Sequence, residues 1–164
     1  MTNRPKQIGT AGESAVVATA QTLGFPWAER LVLHGAKDIG DVRLALGVHL
    51  EVKSGHAAET ASDALIETWM RELETELENA DALAGALITK RKGISGARAH
   101  LWWAHVRSSW LATWRCYPPH PAFGQVGPDA TVRMTLDSLL AQLRATGYGD
   151  PLPTDTTTDL ETTR

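Results

Sequence analysis

Two acidic residues and a lysine lie close together in residues 41–53, where apolar and polar residues alternate. The apolar residues must share the buried face of a β-hairpin, because a one-residue slip would turn all of them toward solvent. This pattern predicts a three-residue turn over residues 45–47, with Gly47 in the left-handed conformation. Leu44 then pairs with Val48. The predicted buried residues are Val42, Leu44, Val48, Leu50 and Val52.

The same register pairs Val42 with Leu50 and sets Asp41 opposite Glu51 on the polar face. Directly opposed residues have Cβ atoms roughly 5 Å apart, and like charges at that distance repel each other. Two carboxylates held so close are typical of a site for a hard cation such as Mg²⁺. Lys53 projects from the same face, two residues after Glu51. A metal ion beside a lysine indicates hydrolysis of phosphate esters, whereas the alternative is a hairpin with ordinary solvated charges.

Glu13 is a third acidic candidate, and two interpretations of it stay open. A helix is predicted over residues 11–23 with Thr10 as its N-cap, and the T-x-x-E spacing of Thr10 and Glu13 is that of a capping box. However, Glu13 also precedes Val16 and Val17 by three and four residues, so it shares the helix face that packs on the sheet. A carboxylate turned inward needs a cation or hydrogen-bond donors to offset its desolvation.

A run of basic residues follows the short apolar strand that is predicted over residues 85–89. Such a run is usually a solvated surface feature. At the end of a buried strand it can also clamp phosphates, and the glycine that follows it would let a nucleic-acid backbone come close. Two further arginines extend the predicted contact. The candidate DNA-binding residues are Lys90, Arg91, Lys92, Arg43 and Arg98.

Bulk composition excludes several classes of protein. The chain has 164 residues, 43% of them hydrophobic and 21% charged, which fits one globular domain. Its formal charge of −3 argues against non-specific coating of nucleic acid, although local basic patches remain possible. Its single cysteine excludes an internal disulfide framework and suits a reducing cytoplasm. No apolar stretch reaches the length of a membrane span, so we expect no membrane association.

The predicted organisation is a flexible N-terminus over residues 1–9, a domain over residues 10–149 and a disordered tail over residues 150–164. The order of elements predicts an α/β domain with a mixed central sheet flanked by helices. A loop is expected at Ser54–Glu59 and another at the proline-rich Tyr117–Pro128. The predicted helices are Ala11–Leu23, Ser62–Ala82, Ser108–Trp114 and Leu136–Ala145. The predicted strands, besides the two of the hairpin, are Glu29–Leu33, Gly85–Thr89, Leu101–Val106 and Thr131–Met134.

Three groups of aromatic, acidic and histidine side chains receive simpler interpretations. Trp110 and Trp114 lie four residues apart on a predicted helix, and they fit either the core or a subunit contact. His100 and His105 lack partners at a metal-binding spacing and are predicted to be structural. The acidic side of the long helix is expected to face solvent. Its members are Glu67, Glu72, Glu74, Glu76, Glu78 and Asp81.

The ordered set of these residues resembles the PD-(D/E)xK nuclease superfamily, and within it the small Holliday-junction resolvases carried by bacteriophages. The likeness spans roughly residues 8–145. It covers Gly9-Thr10-x-x-Glu13, Ala28-Glu29-Arg30, the segment from Gly35 to Val42, Glu51-Val52-Lys53, a long helix bearing Trp69, and Lys90-Arg91-Lys92-Gly93. One departure is that the long helix has no glutamine, a residue that often follows in the superfamily.

The resemblance implies a restriction-endonuclease-like core and a metal-dependent endonuclease that cuts four-way DNA junctions as a homodimer. Asp41, Glu51 and the carbonyl of Val52 would bind Mg²⁺, with Mn²⁺ as a substitute, and Glu13 would join directly or through water. Lys53 would orient the attacking water and stabilise the charge that builds on phosphorus. The expected location of the protein is the cytoplasm of a host cell. The alternatives are a nuclease for linear duplex DNA and a non-cleaving binding protein on the same scaffold.

Overall fold

The computed structural model describes residues 4–31, 40–115 and 129–151 of the chain. These residues form one six-stranded sheet with helices on both of its faces. The helices are α1 (Arg4–Thr22), α2 (His56–Glu59), α3 (Asp63–Asn79), α4 (Ser108–Arg115) and α5 (Leu136–Ala145), with a 3₁₀ helix at Gly96–Leu101. The strands are β1 (Glu29–Arg30), β2 (Val42–Ala45), β3 (Val48–Lys53), β4 (Ala84–Thr89), β5 (Trp103–Arg107) and β6 (Thr131–Thr135).

The strands lie in the sheet in the order in which they occur along the chain. Strands β3 and β4 are parallel, and every other neighbouring pair is antiparallel. The parallel pair requires a crossover, which α3 supplies together with the shorter α2. The prediction of an α/β domain with a mixed sheet flanked by helices is therefore confirmed.

Two hydrophobic clusters cover the two faces of the sheet. The larger one packs α1 and α5 on alternate residues of the strands, among them Leu50 and Val52 of β3. The smaller one packs α3 on the opposite face around Leu87 of β4. Because side chains alternate along a strand, Glu51 and Lys53 belong to the face that α3 covers. The helix therefore packs directly beside the predicted catalytic residues.

The β2–β3 hairpin has the predicted arrangement at its open end and a different one at its turn. Val42 pairs with Leu50 as predicted. At the turn, Ala45 rather than Leu44 pairs with Val48, and the register shifts between the two pairings. Gly47 has a φ of +73°, as the predicted left-handed position requires. The bulge keeps all five apolar residues of the hairpin buried, so the predicted burial is confirmed although the turn pairing was wrong.

The first helix begins seven residues earlier than predicted, at Arg4 rather than Ala11. The segment predicted to be a flexible N-terminus is therefore helical from Arg4 onward. Pro5 is tolerated in the first turn of a helix, where its missing N–H would have no partner. The hydroxyl of Ser54, just past β3, donates a hydrogen bond of 2.9 Å to the carbonyl of Ile8. This tertiary contact fixes the early turns, and no local pattern in the sequence indicates it.

Other predicted boundaries agree with the structure within a few residues. The predicted loop over residues 54–59 contains the short helix α2 and was wrong in that respect. Helix α3 begins after Ser62, whose hydroxyl accepts a hydrogen bond of 3.3 Å from the N–H of Leu65, and it ends three residues before the predicted end. The predicted loop at 117–128, the tail from residue 152 and the end of the first predicted strand lie outside the described residues.

Candidate active site

Asp41 is held against β3 by two hydrogen bonds. Its N–H donates to the carbonyl of Leu50 at 3.1 Å, and its Oδ2 accepts from the N–H of Val52 at 2.8 Å. The preceding residue, Gly40, has a φ of +88°, and a Cβ there would lie 3.5 Å from the Leu50 carbonyl oxygen. A glycine is therefore favoured where the chain turns into β2 close to β3. This local geometry fixes the direction of the Asp41 carboxylate.

The carboxyl group of Asp41 lies close enough to that of Glu51 for the Glu51 charge to raise its pKa. Burial, followed by the charge of Glu51, raises the pKa of Asp41 to about 7, against the opposing Val52 N–H. Burial raises the pKa of Glu51 to about 7 as well, although Lys53 acts in the other direction. The predicted opposition of the two carboxylates thus has a direct electrostatic signature. The pair lacks sufficient positive charge nearby, which a divalent cation would provide.

Lys53 forms an ion pair with Glu51 on the same strand. Its Nζ lies 2.6 Å from Oε1 of Glu51 and 3.9 Å from Oε2 of Glu72 on α3. The ammonium also lies 6.0 Å from the ring centroid of Trp69. Burial lowers the pKa of Lys53, but the carboxylates outweigh burial and the net shift is upward. Lys53 is therefore a cation at neutral pH, suited to stabilising negative charge rather than to removing a proton.

Glu13 lies in the interior of α1, so the predicted N-cap at Thr10 is wrong and the capping-box interpretation of Glu13 is excluded. Its carboxylate accepts a hydrogen bond of 2.8 Å from Nε of Arg30 on β1, and its side chain is only 15% exposed. The other interpretation, in which Glu13 faces inward, agrees with this low exposure, and Arg30 is the donor that offsets its desolvation. Its charge also contributes to the raised pKa of Asp41. The structure thus brings Glu13 near the acidic pair, with its carboxylate bound to an arginine.

Glu76 is the acidic residue that the sequence analysis placed wrongly. It was expected to face solvent, but its relative exposure is 8%. Its carboxyl group interacts with that of Glu51 and helps to raise the pKa of Glu51. A signal was present in the sequence, since Glu76 follows Leu73 by three residues and Trp69 by seven, and so continues the apolar face of α3. Its charge alone led to the wrong prediction.

The residues at hand suit Mg²⁺ better than a metal with a full set of protein ligands. In the described part of the chain no three or more His, Cys, Asp or Glu side chains are grouped to hold a metal ion. Magnesium usually binds one or two carboxylates and completes its shell with water and substrate phosphate. Asp41 and Glu51 supply such a pair. The Val52 carbonyl is a third oxygen on the Asp41 side of β3, because the N–H and C=O of one strand residue point the same way.

A depression of about 420 Å³ opens beside Lys53. It lies between the start of α1, the chain from Val52 to Ala58 and the Trp69 side chain of α3. Because β3 and β4 are parallel, their carboxyl ends meet at this edge of the sheet, where the chain after β4 carries Lys90, Arg91 and Lys92. A polymer that enters the depression would therefore meet the basic run next to the lysine.

The five basic residues predicted to bind DNA have different surroundings. Lys90 forms an ion pair of 2.7 Å with Glu59, and Arg43 forms one with Glu29. Arg91 lies 4.4 Å from the ring centroid of Trp103. The other two residues, Lys92 and Arg98, are exposed. The structure thus brings the run at the end of β4 to the Lys53 edge, and it pairs Arg43 with an acid.

No protein-family model matches the chain, and no significant match was found among curated proteins or among solved structures. None of the described helices is both long and apolar enough to cross a membrane. The described residues therefore form a mixed α/β domain in which the buried Glu51 and the half-buried Asp41 lie beside a cationic lysine.

Proposed function

We propose that the protein is a metal-dependent DNA endonuclease of the PD-(D/E)xK type, with four-way junctions as its preferred substrate. The observation that carries the proposal is the arrangement of Asp41, Glu51 and Lys53 at one edge of the sheet. The buried Glu51 and the half-buried Asp41, both with raised pKa values, lie beside a lysine that stays cationic and lines an open depression. Clusters of perturbed ionisable groups of this kind are typical of catalytic sites.

In this proposal Asp41, Glu51 and the Val52 carbonyl would hold Mg²⁺. Its contribution when bound would be to polarise the scissile phosphate and to lower the pKa of water. Positioning of the carboxylate and stabilisation of the developing charge are functions of the chain's own residues. Hydrogen bonding by the Val52 N–H keeps one Asp41 oxygen in place. The Lys53 ammonium stabilises the negative charge that develops on the phosphoryl oxygens, and its pairing with Glu51 keeps it within reach.

Glu13 has a supporting role in this proposal. Its ion pair with Arg30 holds its carboxylate in the middle of α1, near Asp41. From that position it would help to hold a hydrated cation at the acidic pair while it remains bound to Arg30. The added negative charge favours a divalent cation at the acidic pair over a monovalent one.

The junction substrate and the homodimer rest on the resemblance to phage resolvases and on the position of the basic run. Paired cuts in two opposed strands of a four-way junction require two active sites, which a two-fold dimer provides. A nuclease that acts on linear duplex would use the same metal site. A non-cleaving binding protein would retain the basic residues but would not need the buried acidic pair.

A substrate panel tests the proposal. An end-labelled immobile four-way junction, a matched linear duplex and a single strand would be incubated with the protein, with and without Mg²⁺. We expect paired, symmetric nicks in the junction that depend on the metal. Cutting of the linear duplex instead would retain the metal site and reject the junction as substrate. Binding of DNA without cutting, with Mg²⁺ or Mn²⁺ in a folded sample, would reject the nuclease.

A further inference from the structure

Trp103 holds two arginine side chains that reach it from different neighbours of β5. The guanidinium carbon of Arg91, in the turn after β4, lies 4.4 Å from the centroid of the Trp103 ring. The guanidinium carbon of Arg133, on β6, lies 4.9 Å from the same centroid. Both distances are those of cation–π contacts. We call this group, Arg91, Trp103 and Arg133, the arginine–tryptophan stack.

The arginine–tryptophan stack is a concentration of positive charge that the described part of the protein does not neutralise. Among the described residues, neither Arg91 nor Arg133 forms an ion pair, whereas Lys90 and Arg43 are paired with glutamates. Arg133 is exposed, and its charge helps to lower the pKa of the neighbouring His105. Two guanidinium groups fixed on one ring keep their planar N–H donors in place for an anion with several oxygens.

Trp103 lies in the same row of paired residues across the sheet as Lys53. Lys53 pairs with Thr89 across β3 and β4, and Thr89 pairs with Trp103 across β4 and β5. Paired residues lie on the same face, so Lys53 and Trp103 project from one face with two strand spacings between them, about 10 Å. A nucleic-acid strand whose scissile phosphate lies at Lys53 would meet the stack with phosphates close to the cut.

We infer that the arginine–tryptophan stack binds backbone phosphates of the DNA strand that flanks the scissile phosphate, with Trp103 orienting Arg91 and Arg133. This inference rests on the proposed function and adds two residues, Trp103 and Arg133, to its DNA-binding surface. The ring already contacts two guanidinium groups, so it acts as their support rather than as an open platform for a base. The contact is therefore with phosphates and is independent of sequence.

The test measures DNA affinity as a function of salt, in EDTA so that no strand is cut. Fluorescence anisotropy of a labelled junction would be followed between about 50 and 200 mM salt for the wild type and the R91A/R133A double variant. Two lost phosphate contacts reduce the slope of log K against log salt by about two for duplex arms. The control is R71A, which removes an exposed arginine of α3 that lies outside the proposed surface.

A second variant distinguishes the orienting role of the Trp103 ring from the charge of the two arginines. W103L keeps both arginines but removes the ring that orients them, and we expect it to weaken DNA binding several-fold while R71A binds as the wild type does. Circular dichroism would establish that each variant is folded. A variant that is unfolded would be replaced by R91Q or R133Q, each of which should lose about one unit of slope.

The results distinguish failure of the inference from failure of the proposed function. Cleavage by the wild type, together with an unchanged slope in the folded R91A/R133A variant, would overturn the inference and leave the nuclease intact. Binding with the predicted loss of slope, but no cleavage in Mg²⁺, would support the phosphate contact and overturn the nuclease. Absence of DNA binding by the wild type would overturn both.

Discussion

The Nζ atom of Lys53 lies 2.6 Å from Oε1 of Glu51, two residues earlier on the same strand. Residues at this spacing project from one face of a strand, so the ion pair follows directly from the sequence. Its electrostatic setting does not, because Glu51 also faces Asp41 and Glu76. For both carboxyl groups of the pair, burial is the main cause of the raised pKa, and burial together with charge repulsion exceeds what the single lysine offsets.

Replacing Lys53 with methionine should remove catalysis while it preserves the fold. Methionine retains the apolar stem beside Trp69 but lacks the charge that stabilises the transition state. Loss of one such stabilising group costs on the order of a hundredfold to a thousandfold in rate. The measurement is the single-turnover rate of junction cleavage at saturating Mg²⁺, with K6M on α1 as the matched control. A rate within twofold of the wild type would contradict the role of Lys53.

The stability of the metal-free protein should depend on pH because of Asp41 and Glu51. Asp41 and Glu51 have folded-state pKa values of about 7 and ordinary values of 3.8 and 4.5. Between these limits the folded state binds more protons than the unfolded state, so their contribution to stability falls as pH rises from about 4 to 7. His105 acts in the opposite direction. Burial lowers its pKa from 6.5 to about 4, so its contribution is lost as pH falls through that range.

A comparison of D41N with the wild type isolates the acidic pair from His105. Near pH 4 the two proteins should unfold at similar temperatures, because the protonated Asp41 resembles asparagine. At pH 7.5, D41N should be more stable by at least about 1 kcal/mol, or roughly 2–4 °C. Thermal unfolding in EDTA measures both. The matched control is D81N, an exposed site with a φ of 50° that asparagine tolerates. A difference between D41N and wild type that does not change with pH would refute the raised pKa of Asp41.

Magnesium should stabilise the wild type and D81N but not D41N. A ligand that binds only the folded state raises its stability by about 2.7 kcal/mol at a hundredfold excess over Kd. Because the carboxylates must ionise to bind the ion, the stabilisation should be larger at pH 8 than at pH 6. Thermal unfolding across a Mg²⁺ titration provides the measurement, with Na⁺ at equal ionic strength as a control. Equal stabilisation of D41N would place the ion elsewhere.

Arg107 should stabilise the packing of α3 against strands β5 and β6. Its guanidinium donates to Glu74 at 2.7 Å, to Glu67 at 2.9 Å and to the hydroxyl of Thr131 at 2.8 Å. Its side chain is 9% exposed, so R107A should lower the free energy of unfolding by about 2–3 kcal/mol. Urea unfolding of R107A beside R71A measures this. A loss below about 0.5 kcal/mol would show that the network contributes little.

The sequence was sufficient for the open end of the hairpin and for the order of helices and strands along the chain, because both follow from short-range periodicity. The Val42–Leu50 register and the left-handed Gly47 could be predicted from alternation alone. The early start of α1 could not, because it depends on a bond between Ser54 and Ile8, residues 46 positions apart. Tertiary contacts of this kind override local propensity.

In the candidate site, too, some features follow from local sequence patterns and others depend on tertiary contacts. The proximity of Asp41, Glu51 and Lys53 could be predicted because two neighbouring strands position them. The burial of Glu76 could have been found from its spacing to Leu73 and Trp69 on α3, but its contact with Glu51 depends on how α3 packs against the sheet. The contact of Arg133 with Trp103 requires knowledge of which strand lies beside β5, and a single sequence does not contain that information in any local pattern.

The proposed function requires Asp41 and Glu51 to hold a metal ion for phosphodiester hydrolysis. The most direct test is the rate of Mg²⁺-dependent cleavage of a four-way junction by the wild type, D41N and D81N. We expect the wild type and D81N to cut at similar rates, and D41N to bind the junction while cutting at least about a hundredfold more slowly. Cleavage by D41N at the wild-type rate, or no cleavage by any of the three folded proteins, would contradict the claim.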